Sequence, residues 1–328
     1  MNVLITGAGG FVGSHLVDSQ LAQGHIVRAL DLHVENLAHT ADHPRLEIIP
    51  GDLTNTAVLP QWLTDIEIVY HLASAHLDVT QPDSYYHRVN VEATQHLLAA
   101  AQQNGVRRFV HCSTNGVVGD LQNPPVDETA VCHPTNIYEQ TKLLGEQAAL
   151  DFAAATGLPV VVARPAWVYG PRCPRTARLL RMVRKGRFLL FGNGRTLRHP
   201  IYISDAITGL ELCAAAPPET AVGQIYFLAG PHTTTIAELA QTAATVQNVP
   251  PTRWRLPLFI GYTAAYTLQW AFKPTGKQPP FSRRSLDFYL KDNAYSIEKA
   301  RRDLGFNPQI DLRTGLQKTI QTIPLHPS

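Results

Sequence analysis

No long run of one charge occurs in the 328-residue chain, in which 28 Lys and Arg stand against 26 Asp and Glu for a formal net charge of +2. That balance excludes the basic groove through which proteins hold a phosphate backbone, so a small molecule rather than a nucleic acid is the expected partner. Cysteine is scarce. Cys112, Cys132, Cys173 and Cys213 lie far apart without metal-ligand pairing, in a chain too long to need disulfide staples. Neither a metal nor a disulfide framework is expected, and reduced thiols fit a cytoplasmic setting. A leader pattern is also missing: Met1-Asn2-Val3-Leu4-Ile5-Thr6-Gly7 has no basic start or long apolar stretch, and is expected to be the mature start. The uncharged segment from Leu256 to Phe272 falls short of the roughly 20 apolar residues of a spanning helix and is interrupted by Pro257, Gly261 and Gln269. Internal repeats and low-complexity tracts are absent.

What is present is apolar residue, 45% of the chain against 16% charged, enough to bury a large core as one large domain or two coupled ones. Runs suited to buried parallel strands recur at 3–5, 26–30, 46–49, 66–70, 109–111 and 160–163, with helical spacing between them. Val12, Leu16 and Val17 share one helical face that ends at Gly24, and the segment 90–104 groups Val91, Leu97 and Leu98 before Gly105. Alternating β and α units predict an α/β fold, a doubly wound parallel sheet of Rossmann type covered by helices on both faces. After about Arg164 proline and glycine punctuate 171–194, 217–230 and 274–280, which predicts irregular substrate-shaping loops. The expected division is a nucleotide-binding domain over 1–165 and a smaller substrate lobe over 166–328, from which the chain can cross back.

Gly7-Ala8-Gly9-Gly10-Phe11-Val12-Gly13 follows a strand and opens a helix, where glycines let backbone N–H groups approach a pyrophosphate at the positive helix end. The bland alternative is a tight turn. Asp31 closes the second strand 18 positions after Gly13, near the roughly 20-residue offset of the acid that binds the adenosine ribose. A carboxylate there repels a 2′-phosphate and favours NAD over NADP, against which Arg28 and His33 stand nearby. Asp52-Leu53 and His71-Leu72-Ala73-Ser74 sit at the carboxyl ends of the third and fourth strands, as ligand contacts or as simple turns.

Tyr138 and Lys142, four residues apart where helical periodicity begins, share one face, and nearby positive charge favours tyrosinate. An exposed helix face is the alternative. Ser113 and Thr114 close the fifth strand at the same sheet edge, where a hydroxyl can orient a substrate alcohol or merely cap the turn.

Together Thr6-Gly7-x-x-Gly10-x-x-Gly13, Asp31, Ser113-Thr114 and Tyr138-x-x-x-Lys142 resemble the extended short-chain dehydrogenase/reductase family, also called the NAD-dependent epimerase/dehydratase family. Further matches are His71-Leu72-Ala73, Asn90-Val91-Glu92-Ala93-Thr94, Arg164-Pro165, Tyr169-Gly170-Pro171, Tyr202-Ile203-Ser204-Asp205, and the segment from Lys299 to Pro308, so the resemblance covers nearly the whole chain. It implies that Gly7, Gly10, Phe11, Val12, Gly13, Asp31, Asp52, Leu53, Leu72 and Ala73 hold NAD, and that Lys142 binds the nicotinamide ribose and tunes Tyr138. Tyr138 would remove the alcohol proton while Thr114, selected over Ser113 by the family's spacing to Gly119, holds the hydroxyl. Family members often dimerise through helices corresponding to 90–104 and 138–155, so a homodimer is expected.

Dehydratases of this family carry an Asp-Glu pair directly after the Thr, and decarboxylating relatives keep a carboxylate nearby. Asn115 and Gly116 stand there instead, which ranks water elimination low. Two oxidoreductive readings remain. For a nucleotide-sugar 4-epimerase speaks Gly192-x-Gly194-x-x-x-Arg198, which resembles the family's diphosphate-contacting segment. For a 3β-hydroxysteroid-dehydrogenase-like alcohol dehydrogenase speak Trp167, where many sugar-nucleotide members have Asn, and the apolar segment flanked by Arg253, Arg255 and Lys273. That segment is expected to form a core or dimer helix, or else to roof an apolar pocket or make a peripheral membrane contact. The dehydrogenase is the preferred expectation, the epimerase the alternative, and a non-catalytic NAD sensor a third reading that retention of Tyr138 and Lys142 disfavours.

Overall fold

The computed structural model describes the chain except residues 77–80, 253, 273, 274, 276–280, 282 and 323–328, and the side chains of 283–285. Arg253, Lys273 and most of the 274–280 loop therefore lie outside the described residues. Among the described residues the central sheet has seven strands: β1 (Asn2–Thr6), β2 (Ile26–Asp31), β3 (Leu46–Pro50), β4 (Ile68–His71), β5 (Arg108–Cys112), β6 (Val160–Pro165) and β7 (Ile225–Leu228). Their order is β7-β6-β5-β4-β1-β2-β3 and every pairing is parallel.

Parallel strands need long crossovers, so helices cover both faces and strand residues of either parity are buried. Val3 and Ile5 pack in one layer with Leu16 and Val17 of α1 (Phe11–Ala22), whereas Leu4 joins the opposite layer. That second layer holds Leu97 and Leu98 of α2 (Ala93–Gln103) and Ala149 and Ala153 of α3 (Ile137–Thr156). Before α2 the residues Arg88–Glu92 form a π-helical turn, so the expected helix from 90 begins with a widened turn.

The 165/166 boundary is not a clean cut. Ile207 and Leu210 of α4 (Ile203–Ala215) complete the first layer, and β7 returns to pair with β6. Within the stretches read as loops lie β7 itself and the helix Pro174–Arg184, which buries Leu179, Leu180 and Val183 at helical spacing. Its proline occupies the first turn, where a missing N–H costs nothing. The smaller lobe is tied by short pairings: Trp167–Tyr169 beside Pro200–Tyr202, Leu197–Arg198 beside Thr234–Thr235, and Leu190–Phe191 beside Arg255–Leu256.

The apolar segment forms α5 (Leu258–Phe272), next to α6 (Arg283–Leu290). It is not a core helix, because only Gly261 and Ala265 are buried, while Phe259, Tyr266 and Trp270 are 67%, 68% and 76% exposed. No helix among the described residues is long and apolar enough to cross a membrane.

Candidate active site

Strand order reverses between β1 and β4, and at the carboxyl ends of these strands, where open α/β sheets bind ligands, a cleft of about 690 Å³ opens. The glycine loop forms one end. Gly7 has φ +72°, and a Cβ on Gly13 would lie 2.0 Å from the Gly7 carbonyl oxygen, so loop and helix close to a spacing only glycine allows. The first-turn amides of α1 have no intrahelical acceptor and no side chain caps them, which leaves an anion cradle facing the cleft.

Asp31 anchors that loop. Its Oδ2 accepts the Gly9 N–H at 2.9 Å and its Oδ1 the His33 N–H at 3.0 Å, and each oxygen keeps a lone pair for a ribose hydroxyl. Arg28 is held elsewhere, donating to Glu47 at 2.7 Å and to the Trp62 carbonyl at 2.8 Å, so it offers no counter-charge for a 2′-phosphate. Asp52 and Leu53 line the same end of the cleft; one Asp52 oxygen closes a turn by accepting the N–H and hydroxyl of Thr54, both at 2.8 Å. Leu72 and Ala73 supply the next wall. His71 is buried between Thr6 (2.8 Å) and Thr94 (2.9 Å), and burial pushes its imidazole down to about 3, so it is a neutral link between β1 and α2. These residues fit a dinucleotide: an amide cradle for the pyrophosphate, a carboxylate for the ribose and apolar walls for the base.

The start of α3 brings Tyr138 and Lys142 in. Asn136 Oδ1 caps it by accepting the Glu139 N–H at 3.1 Å, and Glu139 reaches back to the Thr135 N–H at 2.8 Å. Tyr138 thus stands in the first turn against the cleft, and Lys142 one turn deeper. Lys142 Nζ donates to the Cys112 carbonyl at 2.7 Å, and burial draws its ammonium below the usual lysine range, opposed by Cys112 and Glu146. Thr114 lines the cleft with its hydroxyl accepting the Gly116 N–H at 3.2 Å, while the buried Ser113 hydroxyl has no partner among the described residues. Asn115 donates to Asn293 at 3.0 Å.

Two residues in the centre carried no role in the sequence reading. His76 meets the Tyr138 ring edge to face, centroids 4.6 Å apart. Asn90, in the π-turn, accepts the Ala75 N–H at 2.8 Å and the Ser74 hydroxyl at 3.2 Å, and donates to Thr141 of α3 at 3.0 Å. It pins the loop after β4 to the helix that carries Tyr138. A buried amide side chain inside an otherwise apolar helical pattern is the signal that marks Asn90; nothing marks His76, 62 residues from Tyr138 in the sequence.

At the far end Trp167 packs on Tyr169 and Phe288, with centroids 5.9 and 6.1 Å apart. Arg198 lies in the same wall. Its Nη1 donates to the carbonyls of Lys291 (2.7 Å) and Leu197 (3.2 Å), and its Nη2 to those of Asp287 (3.1 Å) and Phe288. The guanidinium also covers the Phe288 ring at 4.6 Å. It thereby caps the carboxyl end of α6.

Known proteins resemble the chain over nearly its whole length. The profile of the NAD dependent epimerase/dehydratase family matches residues 3–229. A 3 beta-hydroxysteroid dehydrogenase/Delta 5-->4-isomerase of Mycobacterium tuberculosis is 31% identical over 99% of this chain and 90% of its own length. The mouse sterol-4-alpha-carboxylate 3-dehydrogenase, decarboxylating, is 25% identical over 97% of this chain and 90% of its own. The crystal structure of UDP-glucuronic acid 4-epimerase from Bacillus cereus with NAD superimposes with a TM-score of 0.81 at 26% identity, covering 98% of both chains. The chain is therefore an NAD-dependent enzyme of the epimerase/dehydratase family.

Proposed function

We propose that the enzyme oxidises a secondary alcohol on a largely apolar molecule, as a 3β-hydroxysteroid-dehydrogenase-like dehydrogenase. The observation that carries this reading is the state of Arg198. The group expected to grip a diphosphate already spends both terminal nitrogens on main-chain carbonyls, beside an aromatic wall of Trp167 and Phe288. Only its buried Nε–H has no partner among the described residues, so a sugar nucleotide gripped by the terminal fork would have to displace those bonds, whereas an apolar ring needs only the wall.

In this reading the Thr114 hydroxyl orients the substrate alcohol and the Tyr138 phenolate removes its proton. Lys142 favours the phenolate by its charge. Bound NAD supplies the hydride acceptor. Gly7, Gly10, Phe11, Val12 and Gly13 hold the pyrophosphate, Asp31 the adenosine ribose, and Asp52, Leu53, Leu72 and Ala73 the remaining cofactor surface. Asn115 and Trp167 shape the substrate pocket. The four free thiols support a cytoplasmic setting, and the neighbouring α2 and α3, with Leu144 41% exposed on the latter, support a homodimer.

The second reading is a 4-epimerase, favoured by the Bacillus cereus neighbour and by Arg175 and Lys291, which add positive charge at the cleft. Purified protein given NAD with sterols or with UDP-sugars separates the two. The dehydrogenase accumulates NADH with an apolar alcohol; interconversion of sugar epimers without net NADH overturns the proposal.

A further inference from the structure

Phe11, His15 and Asp18, spaced by four and three residues, share one stripe of α1, the helix that opens at the glycine loop. Phe11 lines the cleft and meets the His15 ring edge to face, with centroids 5.7 Å apart. His15 and Asp18 reach across to the smaller lobe, to the loop between Tyr169 and Pro174. His15 Nε2 donates to the Pro171 carbonyl at 3.0 Å, and Arg172 Nη2 donates to His15 Nδ1 at 3.4 Å and to Asp18 Oδ2. Arg172 holds φ +62°, the left-handed region that a residue with a long side chain seldom enters. Two cleft residues flank this loop, Trp167 before it and Arg175 after it.

These bonds fix the protonation of His15. A ring that donates from Nε2 to a carbonyl and accepts at Nδ1 from a guanidinium is a neutral tautomer, and a proton on Nδ1 would turn the acceptor into a donor aimed at Arg172. Like charges would then meet where a hydrogen bond had been. The charged groups that face His15 are Arg172 from the loop, Asp18 on its own helix and His39 from the turn at 35–40, whose Nε2 lies 2.8 Å from Asp18 Oδ1. One turn further along α1, α4 presents Glu211 to Ser19, Gln20 and Gln23 instead. Burial, the largest influence, draws the His15 imidazole below the usual histidine range, with Arg172 and His39 acting the same way and the Pro171 carbonyl and Asp18 opposing. The ring is therefore neutral at pH 7 and takes a proton as pH falls below about 6.5. A proton on His39 strengthens its own contact with Asp18, but at an exposed pair that gain is small and leaves Oδ2 to Arg172.

We propose that His15 and Asp18 are positioning residues that clasp the 170–173 loop to α1 through Arg172, and that a proton on His15 opens the clasp. Closed, it sets the cleft wall that carries Trp167 and Arg175 against the helix that begins at the glycine loop. Open, it frees that wall from the cofactor side. Polar, part-exposed contacts between lobes permit such movement where a large apolar interface would not. The clasp acts alike whichever alcohol is the substrate.

The test is amide hydrogen exchange of the full chain, read by mass spectrometry at pH 7.5 and 5.0, corrected for intrinsic exchange and referred to β5 for global opening. In the native chain the segment 170–178 is expected to lose protection relative to β5 by about threefold or more at pH 5.0. His15→Gln keeps a donor for the Pro171 carbonyl but takes no proton, so its segment should be equally protected at both pH values. Asp18→Asn should be open at both, and His39→Gln should keep the native pH response. NAD titration at pH 7.5 that matches the native chain shows that each variant is folded. A native segment whose protection does not change with pH overturns the inference. So does a His15→Gln variant that follows the native pH response, or a His39→Gln variant that abolishes it.

Discussion

Replacing Arg198 with methionine separates a structural clamp from a substrate-gripping arm. Methionine retains the apolar stem but removes a guanidinium that is 4% exposed and donates to the carbonyls of Leu197, Asp287, Phe288 and Lys291. Burial pulls this guanidinium down to about 10, so it is charged at neutral pH and its bonds are charge-assisted. The carbonyls of Leu197, Asp287 and Lys291 keep second donors in the Asn293 N–H, the Lys291 N–H and the Asn293 amide, so the Phe288 carbonyl alone is stranded, at about 1–3 kcal/mol; the other lost charge-assisted bonds cost about 1 kcal/mol each and the cation–π contact about 1–2 kcal/mol. Against this, removing a buried cation returns several kcal/mol of desolvation. The net expectation is about 3 kcal/mol of destabilisation, which lowers Tm by roughly 4 °C in a chain of this size. Differential scanning calorimetry reads the stability, and fluorescence titration with UDP reads diphosphate affinity. Clamping predicts a large loss of Tm with no change in UDP affinity, and Arg198→Lys recovering only part, since one ammonium replaces a fork. A variant that melts within about 1 °C of the parent yet loses UDP binding refutes the reasoning, because destabilisation on that scale leaves no room for a lost clamp.

Tyr138→Phe is expected to lower kcat by about 10²–10⁴-fold while NAD titration is unchanged; near-normal turnover sinks the proton-transfer role. Asp31→Ala should weaken NAD by about tenfold and narrow the preference against NADP, because a ribose acceptor worth about 1.4 kcal/mol and a like charge disappear together. Asn90→Ala strands the buried Ala75 N–H and frees Thr141, so stability should fall by about 2–4 kcal/mol in urea unfolding, with kcat falling more than KM rises. Three buried histidines set an acid limit. Burial lowers His71 to about 3, His199 to about 4 and His111 well below the usual histidine range. The unfolded chain therefore binds more protons below about pH 6.5, and stability is lost as pH falls from there towards 4, by about 1.4 kcal/mol per unit for each histidine. Urea midpoints that stay level between pH 7 and 5 would contradict this.

The parallel sheet is legible in the sequence because a strand buried on both faces is a continuous apolar run, as in Val160-Val161-Val162-Ala163. Ile225-Tyr226-Phe227-Leu228 is equally apolar and becomes β7, but it lies between Pro217 and Gly230, and the punctuation hides it. Pro174 likewise reads as a break although it opens a helix. Helix α5 shows the limit of periodicity as a signal: an uncharged segment with apolar residues around most of its circumference gives little phase from which to tell its inner side from its outer.

At the site, legibility follows whether a role lives in a side chain or in the main chain. The glycine loop and the Tyr-Lys spacing are patterns of residue type, and their cleft positions follow from strand order. The state of Arg198 depends on the carbonyls of Leu197, Asp287, Phe288 and Lys291, and any residue would supply a carbonyl there. A motif that matches a diphosphate contact thus says where the guanidinium stands but not what it is holding. The same applies to Tyr138, whose neighbour His76 comes from a loop that Asn90 pins to α3. In the proposed dehydrogenase, alcohol activation rests on residues readable along the chain, whereas the choice of alcohol would rest on where α6 ends and what caps it.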